Sequence, residues 1–174
     1  MKYREIYEEY NSLLAQKTDC SNLLPALKEG YISVKTISGK KYSYLQKKSG
    51  GRINSEYIKE GMLAQIQSEL QKRRETENQI EMINKELCRI ETAVKTLDKS
   101  LYHKLIILKR CSLMDSMPVE MRQKSLEFGN AMTALEGIPA SADTENRLSL
   151  WAAGRYSFKD AYLHALKKYR LMEI

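Results

Sequence analysis

The chain has 174 residues, 43% of them hydrophobic and 29% charged, with a formal net charge of +7. That length suits one domain, or a small domain joined to a helical one, with enough apolar surface to bury a core. No window approaches the roughly 18 apolar residues of a membrane span, and Met1-Lys2-Tyr3-Arg4-Glu5 does not open a signal peptide, so a cytoplasmic location is expected.

Residues 3 to 16 place Tyr3, Ile6, Tyr7, Tyr10, Leu13 and Leu14 three and four apart, which predicts an amphipathic helix. Thr18-Asp19-Cys20-Ser21-Asn22, followed by Pro25, reads as a turn-rich break, and Gly30 marks a change of period. Then come Tyr31 to Thr36, a turn at Ser38-Gly39-Lys40, and a β-favouring return from Tyr42 to Lys47. A second turn at Ser49-Gly50-Gly51 and a run from Arg52 to Ile58 complete a predicted three-stranded meander. So small a sheet needs a helix against one face.

From Glu60 to Leu97 that helix is expected. Leu63, Ile66, Leu70, Ile80, Ile83, Leu87, Ile90, Val94 and Leu97 follow an alternating three-four spacing, with Arg73 and Glu77 as a polar interruption on the same register. At ~1.5 Å per residue the helix exceeds roughly 50 Å and must pair with something. Its partner is helix one, a helix at 100 to 112 (Leu101, Leu105, Ile106, Leu108), or a second copy of the chain, giving a homodimer through residues 62–97.

At Asp115-Ser116-Met117-Pro118, Asp115 or Ser116 can cap a new helix with Pro118 in its first turn. That helix ends at Gly137, another runs from near Ser141 to Gly154, and Ser157 with Asp160 opens the last. The expected fold is mainly α with a small antiparallel β-meander, a long coiled-coil-like helix and a C-terminal three-helix unit. The segments are 1–60, 61–114 and 115–174.

The inventory of reactive groups predicts no enzyme, no metal and no cofactor. His103 and His164 stand about sixty residues apart with no ligand-spaced neighbour, and no phosphate-binding loop or nucleophile motif occurs. Cys20, Cys88 and Cys111 are widely spaced and form no paired motif, so they read as reduced thiols. The basicity, by contrast, is localised. Between Tyr31 and Glu60 seven basic residues face two acids, an excess of five out of the chain's seven. Lys35, Lys40, Lys41, Lys47, Lys48 and Arg52, interleaved with Tyr31, Tyr42 and Tyr44, form a candidate nucleic-acid-binding set, since lysines neutralise phosphates and a short sheet fits a major groove. In arrangement this resembles the arm-binding sheets of tyrosine recombinases. The alternative is that the lysines keep an edge-rich sheet from aggregating while the tyrosines pack on the helix beneath.

The C-terminal stretch Asn130-Ala-Met-Thr-Ala-Leu-Glu136-Gly137-Ile138-Pro139, followed by Leu150-Trp151-Ala152-Ala153-Gly154-Arg155-Tyr156-Ser157, resembles the VbhA-type antitoxin module that inhibits Fic toxins. The likeness covers roughly residues 126 to 172. It implies an antitoxin-like protein in which Glu136 and Gly137 bind a Fic-type AMP-transferase toxin. Glu136 would pair with the arginine that otherwise holds the ATP γ-phosphate, a charge-assisted contact that competes with phosphate. The family has Ser or Thr four residues before this glutamate. Here that position is Met132, and Thr133, one residue on, is rotated by ~100° on the helix and cannot take the place of that hydroxyl. The alternatives are a nucleic-acid-binding accessory protein of a mobile element and a structural helical interaction protein.

Overall fold

The computed structural model describes residues 3–137 and 140–168. Among them the chain is mainly helical, with six α-helices and one three-stranded antiparallel sheet. The helices are α1 (Arg4–Leu23), α2 (Leu63–Leu97), α3 (Lys99–Asp115), α4 (Val119–Leu135), α5 (Ala142–Ala152) and α6 (Phe158–Lys168). The strands, β1 (Tyr31–Ile37), β2 (Lys40–Ser49) and β3 (Arg52–Ile58), form the expected meander in the order β1-β2-β3.

The chain forms two compact units, Met1–Ala15 with Ile90–Ile174, and Gln16–Arg89, so the divisions fall inside α1 and α2. In the second unit the sheet lies on α2. Leu45 and Ile58 are buried with Ile66 and Leu70, and Ile32 and Leu63 pack against that cluster. A meander this short has no core of its own, and these contacts supply the apolar burial that holds it.

Helix α1 continues through Thr18-Asp19-Cys20-Ser21-Asn22, where the sequence predicts a break. Those residues are weak helix formers, but Cys20 is buried on the same helix, and packing outweighs a propensity penalty of a few tenths of a kcal/mol per residue. The helix stops where Pro25 enters a short 3-10 turn, Leu24–Ala26. Arg73 closes this end: its Nη1 donates to the carbonyl oxygens of Leu24 at 2.9 Å and Leu27 at 3.2 Å, and its Nε to Glu77 at 2.8 Å. The polar interruption of the α2 seam therefore satisfies exposed carbonyls at the end of α1 within one chain.

In the first unit, Tyr10 is fully buried and its hydroxyl donates to Glu91 at 2.6 Å, while Lys109 Nζ donates to the same carboxylate oxygen at 2.7 Å. Burial, reinforced by the Glu91 carboxylate, holds the Tyr10 hydroxyl well above its ordinary pKa. This trio joins α1, α2 and α3. Along α2, Ile66, Leu70, Ile83, Leu87 and Val94 are buried inside the single chain, which supports the intrachain alternative for the seam, whereas Leu97 at the end of the helix leaves the seam and is exposed.

Helices α4, α5 and α6 form the C-terminal three-helix unit, with α4 packed on α5, α5 on α6 and α6 on α3. Trp151 is buried at its centre, edge-on to Phe158 at 5.0 Å between ring centroids. The Arg122 guanidinium lies over the Trp151 ring and donates to the carbonyls of Met117, Asp115 and Trp151. The capping prediction at Asp115 is corrected: α4 begins after Pro118 with no side-chain cap, and the Asp115 carboxylate instead accepts from the N–H of Phe158 at 2.6 Å. It thus caps α6 from a distance in sequence, alongside Ser157, whose Oγ accepts from the N–H of Asp160 at 3.0 Å as the sequence predicts.

Candidate nucleic-acid interface

The strand register divides the meander into two faces, because successive side chains alternate. Ile32, Leu45 and Glu56 form one row across the sheet and Val34, Ser43 and Ile58 the next, on the face that packs on α2. The opposite face is built of Tyr31, Gln46 and Ser55, then Ser33, Tyr44 and Tyr57, then Lys35 beside Tyr42 and Ile37 beside Lys40, with Lys48 beside Ile53 at the other end. No strand residue on this outer face is acidic.

The sequence-selected residues separate accordingly. Lys35, Lys40, Tyr42, Tyr44 and Lys48 share the outer face, while Lys41, Lys47 and Arg52 fall on the opposite phase. Lys47 is also neutralised, since its Nζ lies 2.5 Å from Glu29. The hydrogen bond and charge of Lys47 hold the Glu29 carboxyl below its ordinary pKa. Tyr31, which the sequence already interleaves with these lysines, and Tyr57, which it does not single out, join the outer face and are about half exposed, at 46% and 52%. The signal for Tyr57 was available: it stands opposite β2 in the phase of Tyr42 and Tyr44 once the two turns fix the register.

The aromatic groups form one patch. The rings of Tyr42 and Tyr57 lie 6.1 Å apart and those of Tyr44 and Tyr57 5.8 Å apart, tilted by 57° and 65°. Lys35 Nζ sits 4.9 Å over the Tyr44 ring, a cation–π contact that positions the ammonium while leaving it exposed. In the row between this patch and Lys48, Gln46 Nε2 donates to Ser55 Oγ at 3.0 Å. The two hairpin turns require glycine: Gly39, Gly50 and Gly51 have φ between +57° and +80°, and open space surrounds a Cβ built at each. A backbone can approach a ligand closely at such turns. Below the sheet, a cleft of about 560 Å³ between the 3-10 turn and the sheet edge includes Glu29, Lys47, Glu56 and Arg73 and is mixed in charge.

Glu136 and Gly137 lie at the end of α4, far along the chain from the sheet. Glu136 is exposed just past the last helical residue, and Gly137 takes the left-handed conformation, with φ +70°, that closes the helix. Met121, Phe128, Met132 and Leu135 are exposed at 56%, 69%, 42% and 83%. Their spacing puts them in one stripe along α4, a helix that buries none of its residues. Thr133 donates its hydroxyl back to the Asn130 carbonyl, away from the Glu136 register. Ile138-Pro139 and the end of the antitoxin-like stretch, 169–172, lie outside the described residues.

Among the described residues no cluster of His, Cys, Asp or Glu could hold a metal ion, and no helix is long and apolar enough to cross a membrane. His164 lies 3.4 Å from Asp143. Comparison with known proteins gives one family match: the model described as "Domain of unknown function (DUF6788)" matches residues 3–68, which span α1, the whole sheet and the beginning of α2. No curated protein and no solved structure matches the chain.

Proposed function

We propose that this protein binds nucleic acid through the outer face of its sheet. The observation that carries the reading is an acid-free face on which the register gathers lysines with tyrosines. Lys35, Lys40 and Lys48 share a face with four tyrosines and no acid, while the meander's one acid, Glu56, lies on the other with Lys41, Arg52 and the paired Lys47. A surface built only to remain soluble gains from mixed charge, and its tyrosines would be expected to pack on the helix beneath. Here the aliphatic Leu45 and Ile58 fill that role and the tyrosines face outward. Lysines at the margins neutralise phosphates, and phenol hydroxyls and ring edges meet sugars and bases between them. The test is fluorescence anisotropy of labelled nucleic acid titrated with the full chain at low salt. Binding whose log affinity falls linearly with log salt is expected, and absence of binding at low salt would overturn the reading.

A second reading concerns α4. The exposed stripe from Met121 to Leu135 ends beside Glu136, which supports a helix that docks on a protein partner and presents a carboxylate. With the resemblance of this segment to VbhA-type modules, the partner is a Fic-type AMP-transferase whose nucleotide-site arginine receives Glu136. Coexpression with such an enzyme should yield a stable complex, and Glu136→Gly should restore AMP transfer. Inhibition unchanged by that substitution excludes the mechanism.

A further inference from the structure

We infer that the ligand of the outer face is double-stranded DNA entered through its major groove, and that Gln46 reads an adenine there. The inference rests on the nucleic-acid reading above and names its substrate class and its specificity-determining residue.

Three observations carry it. The first is shape. Neighbouring strands are ~4.8 Å apart, so β1 and β3 are separated by roughly 10 Å, which matches a major groove about 12 Å wide. The major groove of A-form RNA is too deep and narrow for such an insertion. The second is the arrangement of the rings. Single-stranded nucleic acid is held on aromatic faces that lie open for successive bases to stack. Tyr42 and Tyr44 instead meet Tyr57 at 57° and 65°, and Lys35 covers the Tyr44 face. The patch presents edges and hydroxyls, which suit groove walls better than stacking.

The third is the row of Tyr31, Gln46 and Ser55, which crosses all three strands beside the tyrosine patch. Gln46 is the one amide side chain on the outer face, one row from Lys48 and two from Lys35, and its Nε2 donates one hydrogen to Ser55 Oγ at 3.0 Å. That bond fixes the amide plane, while the second N–H and the Oε1 are bonded by none of the described residues. A glutamine amide with one donor and one acceptor remaining complements adenine, accepting from N6–H and donating to N7. Ser55 is therefore a positioning residue for Gln46.

The test is selection from a random duplex library by the full chain, with Gln46→Ala, Gln46→Glu and Ser55→Ala in parallel and a single-stranded library as comparator. The unaltered chain should enrich duplexes sharing a fixed adenine. Gln46→Ala should lose discrimination at that position by roughly tenfold while still binding bulk duplex. Gln46→Glu should move the preference towards cytosine, whose N4 amino group donates to a carboxylate. Ser55→Ala should weaken the preference without changing its base. A motif unchanged by Gln46→Ala, no enriched motif, or tighter binding of single strands would overturn this inference while leaving the nucleic-acid reading standing. No binding by either library would overturn both.

Discussion

Lys47 Nζ lies 2.5 Å from the Glu29 carboxylate, so one of the cations that make the meander basic is already paired on the α2 side of the sheet. Lys47→Ala should therefore change affinity for nucleic acid by less than about twofold, because only a free cation releases a counterion when it meets phosphate. Anisotropy at fixed low salt checks this, and a loss comparable to that of Lys40→Ala would show that the faces are assigned wrongly.

The sheet depends on α2 for its stability through a small cluster. Leu45 is 8% exposed and Ile58 4%, and both belong to one buried cluster with Ile66 and Leu70. Leu45→Ala should destabilise the fold by about 2–3 kcal/mol, the lower part of the range for buried leucines, since so small a cluster can partly close. Urea unfolding followed by circular dichroism measures it.

Alkaline conditions should weaken the fold. Burial, with the charge of Asp115 nearby, pushes the Cys111 thiol up to about 11 from an ordinary value of 9.0. The unfolded thiol then loses its proton first, so stability is fully present below the ordinary value and declines as pH rises towards the folded one, by up to about 2 kcal/mol. The buried Tyr10 hydroxyl, also raised, acts with the same sign. Denaturant midpoints compared between neutral pH and about pH 10 should fall less in Cys111→Ala than in the parent chain.

Asp115 ends α3 and accepts from the N–H of Phe158, 43 residues later. Asp115→Ala removes a cap and leaves that donor unpaired, so thermal unfolding should report a loss of about 1–2 kcal/mol. Asp115→Asn, which retains an acceptor oxygen, should recover part of it.

Asp115 also marks a limit of sequence reading. Its place before Pro118 suggests a local cap, and nothing nearby signals that its partner lies on α6. By contrast the meander was legible, because alternation and glycine turns are local properties. The division of its cations was not. In β2 both phases carry lysine, and Tyr42 and Tyr44 compete with Leu45 as core candidates. Only the contact of Leu45 and Ile58 with Ile66 and Leu70 decides which phase faces the helix. The α2 seam was likewise legible as a pattern, whereas the role of Arg73, which serves carbonyls 49 and 46 residues away, needed the fold. The end of α1 shows the same rule from the other side: a local break signal at Thr18 to Asn22 yields to packing of Cys20.

The most direct measurement of the central claim compares the salt dependence of duplex DNA binding for the parent chain, for Lys35→Ala/Lys40→Ala/Lys48→Ala, and for Lys41→Ala/Lys47→Ala/Arg52→Ala. If the outer face meets the phosphates, the first triple variant loses about 0.9 from the slope of log affinity against log salt for each lysine removed, and the second retains nearly the parent slope. Equal losses in the two triple variants, or a parent chain whose binding is indifferent to salt, would contradict the account.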